Sequence, residues 1–206
     1  MTLISLPYIR HDYKKEINME TVWQRVEKIF SLYERHGQED YIGEPVSQIE
    51  HMSQAAQIAE NQGYDEEVIL AAFFHDIGHL FALEKNLDNM GGYGVLRHEK
   101  IGADFLRAMG FPEKISKLVE NHVQAKRYLT FKYPEYLSKL SDASHQTLEY
   151  QGGIMSLKEA EDFENDELFE LSLKMRNWDE MAKEEKKPLA DLDRYKKMAY
   201  TLISKV

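Results

Sequence analysis

Phe73-Phe74-His75-Asp76-Ile77-Gly78-His79 joins two apolar residues to an adjacent imidazole and carboxylate, with a second imidazole four positions on. Asp65 is a helix-capping residue type, and Val68 and Leu70 lead inward from it. The spacing predicts a helix that runs through Phe74-His75-Asp76, with Gly78 weakening it near its end. On such a helix His75 and His79 share one face, and Asp76 stands about 100° away, so adjacent donors address different sides of one pocket. A carboxylate has two oxygens and can bridge two cations, whereas an imidazole gives one nitrogen to one of them. The dipeptide carries that meaning only if the rest of the chain supplies the missing ligands.

Before this stretch, Val22, Val26, Ile29, Phe30 and Tyr33 recur at helical spacing up to Gly37. Residues 40–45 form a loop by their Gly and Pro, and Ser47 with Glu50 makes a capping-box pattern that opens a helix carrying His51. After it, residues 83–94 hold Asn86, Asp88, Asn89 and three Gly, the composition of a connector or a lid. A helix from Arg97 to Met109 begins with His98-Glu99 and ends at Gly110. Pro112, at a first helical position, starts another that carries His122 and Lys126. Pro134 breaks the pattern. A helix from about Ser141 to Gln151 stops at Gly152-Gly153, and Ser156 with Glu159 makes a second capping box. A long helix from about Asp166 runs through Trp178 and Met181, and a last helix occupies 190–206. Residues 1–18 show no period and read as an N-terminal arm. With no strand alternation and no internal repeat, the expectation is an all-α protein with one domain over 1–206.

Composition agrees with that class. The 206 residues are 43% hydrophobic and 30% charged, the range of an ordinary globular chain with a sizeable core. No apolar run approaches the ~20 residues of a membrane span, and the first residues lack the basic and apolar regions of a signal peptide. Cysteine is absent, which removes disulfides, thiolate nucleophiles and sulfur-ligated metals and suits a cytoplasmic protein. A formal net charge of −10 repels nucleic acid and anionic membrane, but leaves room for a locally positive pocket that takes a small anion.

Of the eight histidines, His51, His75, His79, His98 and His122 lie on or beside expected helices with apolar neighbours, and Asp179 sits on another beside Trp178. His51, His75, His98 and His122 with Asp76 and Asp179, drawn from five helices, make the nitrogen and oxygen donor set of a two-metal site inside a bundle. Iron, manganese and zinc all accept such donors. Each histidine alone also fits a satisfied core or surface position; the ordered set is more specific than its parts. Lys126 lies one turn beyond His122, and Arg176 three residues before Asp179, so both can face the same pocket. Ser144, Thr147 and Gln151 share one polar helix face. The competing reading makes all five ordinary surface positions.

The order His51, His75-Asp76, Asp179 resembles the metal-binding pattern of the HD-domain superfamily, with His98 and His122 added as in its two-metal members. Most members of that superfamily are metal-dependent phosphohydrolases, and a minority are oxygenases with a mixed-valent di-iron centre. Five further blocks narrow the resemblance: Tyr41-Ile42-Gly43-Glu44, Ser47-Gln48-Ile49-Glu50-His51-Met52, the run from His122 to Leu129, the run from Gln151 to Ser156, and Arg176-Asn177-Trp178-Asp179. Together they are similar to the PhnZ-type oxygenases of phosphonate degradation over roughly Tyr41 to Lys183.

That resemblance implies an all-α HD bundle around two iron ions, Fe(II) and Fe(III), with dioxygen as co-substrate. His51, His75, Asp76 and Asp179 would hold one iron, and His98 and His122 the other, with Asp76 bridging. Tyr41 would occupy an iron before substrate arrives, and Glu44 would read the substrate's amino group. His79, Lys126, Ser144, Thr147, Gln151 and Arg176 would bind the substrate, with Asp76, His79 and Lys126 as the catalytic set. For Tyr41 and Glu44 the competing reading is an incidental phenol and carboxylate in a Gly-Pro loop. The implied reaction cleaves the carbon–phosphorus bond of a 1-hydroxyphosphonate to inorganic phosphate and a carboxylic acid, glycine from 2-amino-1-hydroxyethylphosphonate or a betaine from an N-methylated analogue. The implied form is a monomer or homodimer. The same donors can hold two divalent metals that activate water against a phosphate ester, so a phosphohydrolase is the alternative. A non-catalytic binding protein is the third, and a full ligand set kept without chemistry argues against it.

Overall fold

A computed structural model describes residues 21–41, 43–85 and 94–205. The expected N-terminal arm lies outside the described residues, and so does most of the segment read as a connector or lid. The described residues form eleven helices and no strand. They are α1 (Val22–His36), α2 (Gln48–Asn61), α3 (Glu66–Phe74), α4 (Ile77–Lys85), α5 (His98–Met109), α6 (Glu113–Lys132), α7 (Pro134–Leu137), α8 (Asp142–Tyr150), α9 (Leu157–Glu164), α10 (Phe169–Met181) and α11 (Leu192–Ser204). The all-α expectation holds.

The helix starts follow from local chemistry. Thr21 with Gln24, Ser47 with Glu50 and Ser156 with Glu159 form reciprocal capping boxes at α1, α2 and α9, each satisfying two otherwise orphaned backbone donors. Asp65 caps α3 by accepting from the Val68 amide at 3.0 Å. Pro112 takes the cap position of α6 rather than its first turn, and Pro134 opens the short α7 instead of leaving a bare break.

At the opening stretch the structure departs from the expectation. The helix does not run through His75-Asp76: α3 ends at Phe74, the two residues form a turn, and α4 begins at Ile77. The His79 amide donates to the Asp76 carbonyl, three residues back, at 2.9 Å. Gly78 therefore stands near a helix start, and its role is packing. A Cβ there would lie 1.9 Å from the His98 carbonyl oxygen, so the missing side chain is what lets α4 and α5 meet backbone to backbone.

Helix α3 explains where the core sits. Val68 through Phe74 are all buried, the pattern of a helix apolar all round and enclosed on every side. It packs against α2, α6, α10 and α11, while α5 packs on α4 and α6. Phe73 stacks on Tyr33 at a centroid distance of 4.6 Å, and the Tyr33 hydroxyl donates to the Phe73 carbonyl at 2.9 Å. This aromatic layer lies directly beneath His75-Asp76 in the chain, so truncating Phe73 to Ala, at a cost of about 3–5 kcal/mol, would loosen the floor of the site as well as the core.

A smaller apolar cluster, with Ala125, Tyr128, Met155, Ala160 and Phe163, joins the second half of α6 to α9. Arg127 ties it to the loop after α8: its Nε donates to the Gly153 carbonyl at 2.9 Å, and one Nη to Glu159 at 2.7 Å. Gly152 and Gly153 both have positive φ, which favours glycine at the turn that Arg127 grips.

Candidate active site

The six candidate ligands converge. His51 and His75 bring their Nε2 atoms to 3.0 Å of each other. Asp76 Oδ2 lies 3.6 Å from His51 Nε2 and 3.3 Å from His75 Nε2. Asp179 Oδ1 adds a fourth donor, 3.3 Å from His51 and 3.8 Å from His75. The other oxygen of Asp76, Oδ1, faces a second group, 3.2 Å from His98 Nε2 and 3.5 Å from His122 Nε2. Asp76 thus serves two sides with two oxygens, the arrangement a bridging carboxylate requires. The turn at His75-Asp76 permits it, because a carboxylate between two helices is free of the 100° step of a continuous one. His51, His75, Asp76, His98, His122 and Asp179 are all buried. Clustered imidazoles and carboxylates with no apolar gap between them suit a borderline cation in each group.

Backbone carbonyls orient most of the rings. His51 Nδ1 meets the Ala182 carbonyl at 3.0 Å, His75 Nδ1 that of Ala72 at 2.8 Å, and His122 Nδ1 that of Val119 at 2.6 Å. Each such bond places the proton on Nδ1 and leaves Nε2 as the donor to a metal. Asp179 is held by Arg176, whose Nη1 contacts its Oδ2. Arg176 also contacts Glu180 through Nη2 and donates from Nε to the Tyr136 hydroxyl at 2.8 Å.

The electrostatics follow. Burial opposes the charge on Asp76, but His75, His122 and His98 hold it well below the usual carboxylate range. Burial likewise opposes Asp179, and Arg176 outweighs it. Burial would lower His75, yet Asp76 and Asp179 push it up to about 9. His79 goes the other way, down to about 3, through burial and the charge of His98. Burial, reinforced by Arg176, brings Lys126 down to about 7.

A cavity of about 70 Å³ opens over the second group, room for roughly five water-sized groups. Asp76, His98, His122 and Asp179 form its base, and His79, Lys126 and Arg176 stand in its wall. Tyr41, Glu44, Ser144, Thr147 and Gln151 complete the set expected from sequence, while His51 and His75 lie behind it. All the sequence-derived candidates are therefore brought together. His79 is outside both ligand groups: its ring stacks on His98 at 4.1 Å, and its Nδ1 accepts from the Val95 amide at 3.3 Å. Lys126 donates to Thr147 at 2.8 Å. The Tyr41 ring stacks on His51 at 3.9 Å. Burial, with Asp76 and Asp179, holds its phenol well above the ordinary value.

Four residues escaped the sequence reading. Lys183 pairs with Glu44 at 2.6 Å, so Glu44 already has a cationic partner. Tyr136 and Glu180 hold Arg176 in place. Gln48 lines the cavity. Gln48 lies three residues before His51 on α2, a spacing that puts it on a ligand's helix face; Lys183, beyond the end of α10, and Tyr136 had no such signal.

The site and fold define a class. The HD-domain family profile matches residues 49–198, and the chain belongs to that family. It is 46% identical over 187 residues to an uncharacterized protein of Acanthamoeba polyphaga mimivirus, covering 91% of this chain and 85% of the relative. It is 39% identical over 180 residues to the 1-hydroxy-2-(trimethylamino)ethylphosphonate dioxygenase (glycine-betaine-forming) of Leisingera caerulea, covering 87% and 91%. It is 36% identical over 176 residues to the hydroxymethylphosphonate dioxygenase of Gimesia maris, covering 85% and 87%. No helix among the described residues is long and apolar enough to cross a membrane.

Proposed function

We propose that this chain is an iron- and dioxygen-dependent oxygenase that cleaves the carbon–phosphorus bond of a small 1-hydroxyphosphonate. The observation that carries the reading is the second ligand group. His98, His122 and Asp76 give two imidazoles and one carboxylate beside an open cavity, the donor set of non-haem iron oxygenases, which leaves positions for substrate and dioxygen. The names of two relatives, both phosphonate dioxygenases, support it. In the net reaction the C1–P and C1–H bonds break and dioxygen is the oxidant. One of its oxygen atoms ends on the carboxylate and the other on the phosphate, and a proton is released.

His51, His75, Asp76 and Asp179 would hold one iron and Asp76, His98 and His122 the other. The Fe(II)/Fe(III) pair would supply the dioxygen chemistry and relay to it the electrons given up by the substrate. The chain's own residues do the rest. A neutral His79 whose Nδ1 accepts from Val95 carries its proton on Nε2, and so offers a donor to an anionic oxygen. Lys126 and the remaining N–H groups of Arg176 offer charge-assisted bonds to the phosphonate, and Ser144 and Thr147 add hydroxyls. Gln151 lies on the same helix face, and Tyr41 and Glu44 line the same cavity from the 40–45 loop. A cavity of this size suits a small organophosphonate rather than a nucleotide.

The test is anaerobic. Protein purified with iron receives 2-amino-1-hydroxyethylphosphonate, then dioxygen, and phosphate and glycine are assayed. One phosphate and one glycine for each dioxygen consumed is the expected result. Phosphate release without dioxygen, or turnover confined to phosphate esters, overturns the reading in favour of a phosphohydrolase.

A further inference from the structure

The cavity wall contains an acceptor with nothing to accept. Gln48, the first residue of α2, is 5% exposed. Its Nε2 donates to the Asp40 carbonyl at 3.4 Å. Its Oε1 is buried and has no hydrogen-bond partner among the described residues. Exchanging the two amide atoms would set Oε1 against the Asp40 carbonyl, acceptor against acceptor, so the anchored bond fixes which atom remains free. An orphaned buried acceptor costs about tenfold or more in an equilibrium, and in a residue lining a ligand cavity a donor on the ligand, in place of water, recovers that cost.

The surroundings say what kind of donor is wanted. Gln48 shares the stretch 40–48 with Glu44 and Tyr41, all three lining the same cavity. The phosphonate-suited cations, Lys126 and Arg176, come from α6 and α10. This stretch already receives one alkylammonium, the Lys183 side chain on Glu44 at 2.6 Å, which also neutralises part of the carboxylate's pull. Gln151 Oε1 is a second buried oxygen in the same wall without a hydrogen-bond partner among the described residues. A ligand that satisfies both oxygens brings at least two N–H or O–H donors. A 1-hydroxyphosphonate dianion with a quaternary ammonium tail has one, its hydroxyl; its methyls offer only weak C–H contacts. The same compound with a primary ammonium has four.

Resting on the oxygenase reading above, we infer that Gln48 is a specificity-determining residue whose Oε1 accepts from the protonated amine of the substrate, so that this chain selects amino-1-hydroxyphosphonates over their trimethylammonium analogues. The experiment uses iron-loaded protein without dioxygen and measures the binding of 2-amino-1-hydroxyethylphosphonate and 1-hydroxy-2-(trimethylamino)ethylphosphonate by calorimetry. Steady-state turnover of both follows with dioxygen. The native chain should bind the amine at least tenfold more tightly. Gln48→Leu should bring the ratio near unity, mainly through a raised KM for the amine. Gln48→Glu keeps the acceptor and should keep the amine preference, which covers the case in which the leucine variant does not fold. Turnover of both compounds with no amine preference, or a preference unchanged in folded Gln48→Leu, overturns the inference and leaves the oxygenase reading standing. Failure to bind or turn over either compound overturns both.

Discussion

The two ligand groups that share Asp76 are built differently. In the first, every donor is braced: His51 and His75 by carbonyls of Ala182 and Ala72, and Asp179 by Arg176. Arg176 is itself fixed by Tyr136 and Glu180. In the second, His122 is braced by Val119, but His98 is not. Its Nδ1 is buried without a hydrogen-bond partner among the described residues, as is Oε2 of Glu99, which faces it at 3.7 Å, beyond a hydrogen bond. The first group is braced throughout by groups outside it, and in the second the His98 ring is held by its stack on His79 at 4.1 Å rather than by a carbonyl. The open cavity lies over the second. On the proposed function, the braced group would retain a cation and the group beside the cavity would meet the ligand.

The largest effect that tests this contrast is at the shared residue. Asp76→Ala should strip both groups together, so that iron per chain, measured by mass spectrometry, falls from two to well under one. Retention of one full equivalent would show the two groups to be independent. Next comes Arg176→Lys. A lysine cannot fork to Asp179, Glu180 and Tyr136 at once, and iron affinity in chelator competition without substrate should fall about 10- to 100-fold. An unchanged affinity would mean that Asp179 needs no brace.

The third prediction concerns charge. Lys126 sits near 7 because burial, then Arg176, disfavours its ammonium. A phosphonate dianion favours that ammonium and raises the value in the complex. Affinity should therefore be fully present below about 7 and decline as pH rises towards the value in the complex, with proton uptake on binding above 7. Calorimetry in two buffers of different ionisation heat reads that uptake, and Lys126→Met should abolish it. The smallest effect is expected at Glu99→Gln. Glu99 makes no bond to His98, so iron affinity should move by less than about threefold, against the much larger change at Arg176. Equal losses at both positions would erase the difference between the groups.

Much of this was legible in the sequence. The capping boxes at Ser47 and Ser156, the Asp65 cap and the stop at Gly37 all set helix ends where expected, because they depend on neighbours within one turn. The clustering of the candidate ligands with Lys126, Arg176, Ser144, Thr147 and Gln151 was also legible, since these sit at helical spacings, whereas Tyr41 and Glu44, in a loop, were placed only by the resemblance. The break between Phe74 and Ile77 was not. Nothing local ends a helix at His75-Asp76; the turn depends on α5 approaching α4, a contact between residues some twenty positions apart. Lys183 on Glu44 and Tyr136 on Arg176 were missed for the same reason, because pairs brought together by tertiary packing leave no mark in local spacing.

Gly78 bears on whether such a site can be moved. It stands two residues after the shared carboxylate, and a single methyl there would meet the His98 carbonyl at 1.9 Å. Gly102, on the facing helix, would bring its own methyl to 3.1 Å of the Gly78 nitrogen. The separation between Asp76 and His98 is thus gauged by two hydrogens in place of side chains. Copying the six ligands onto another bundle would carry the chemistry and leave the ruler behind.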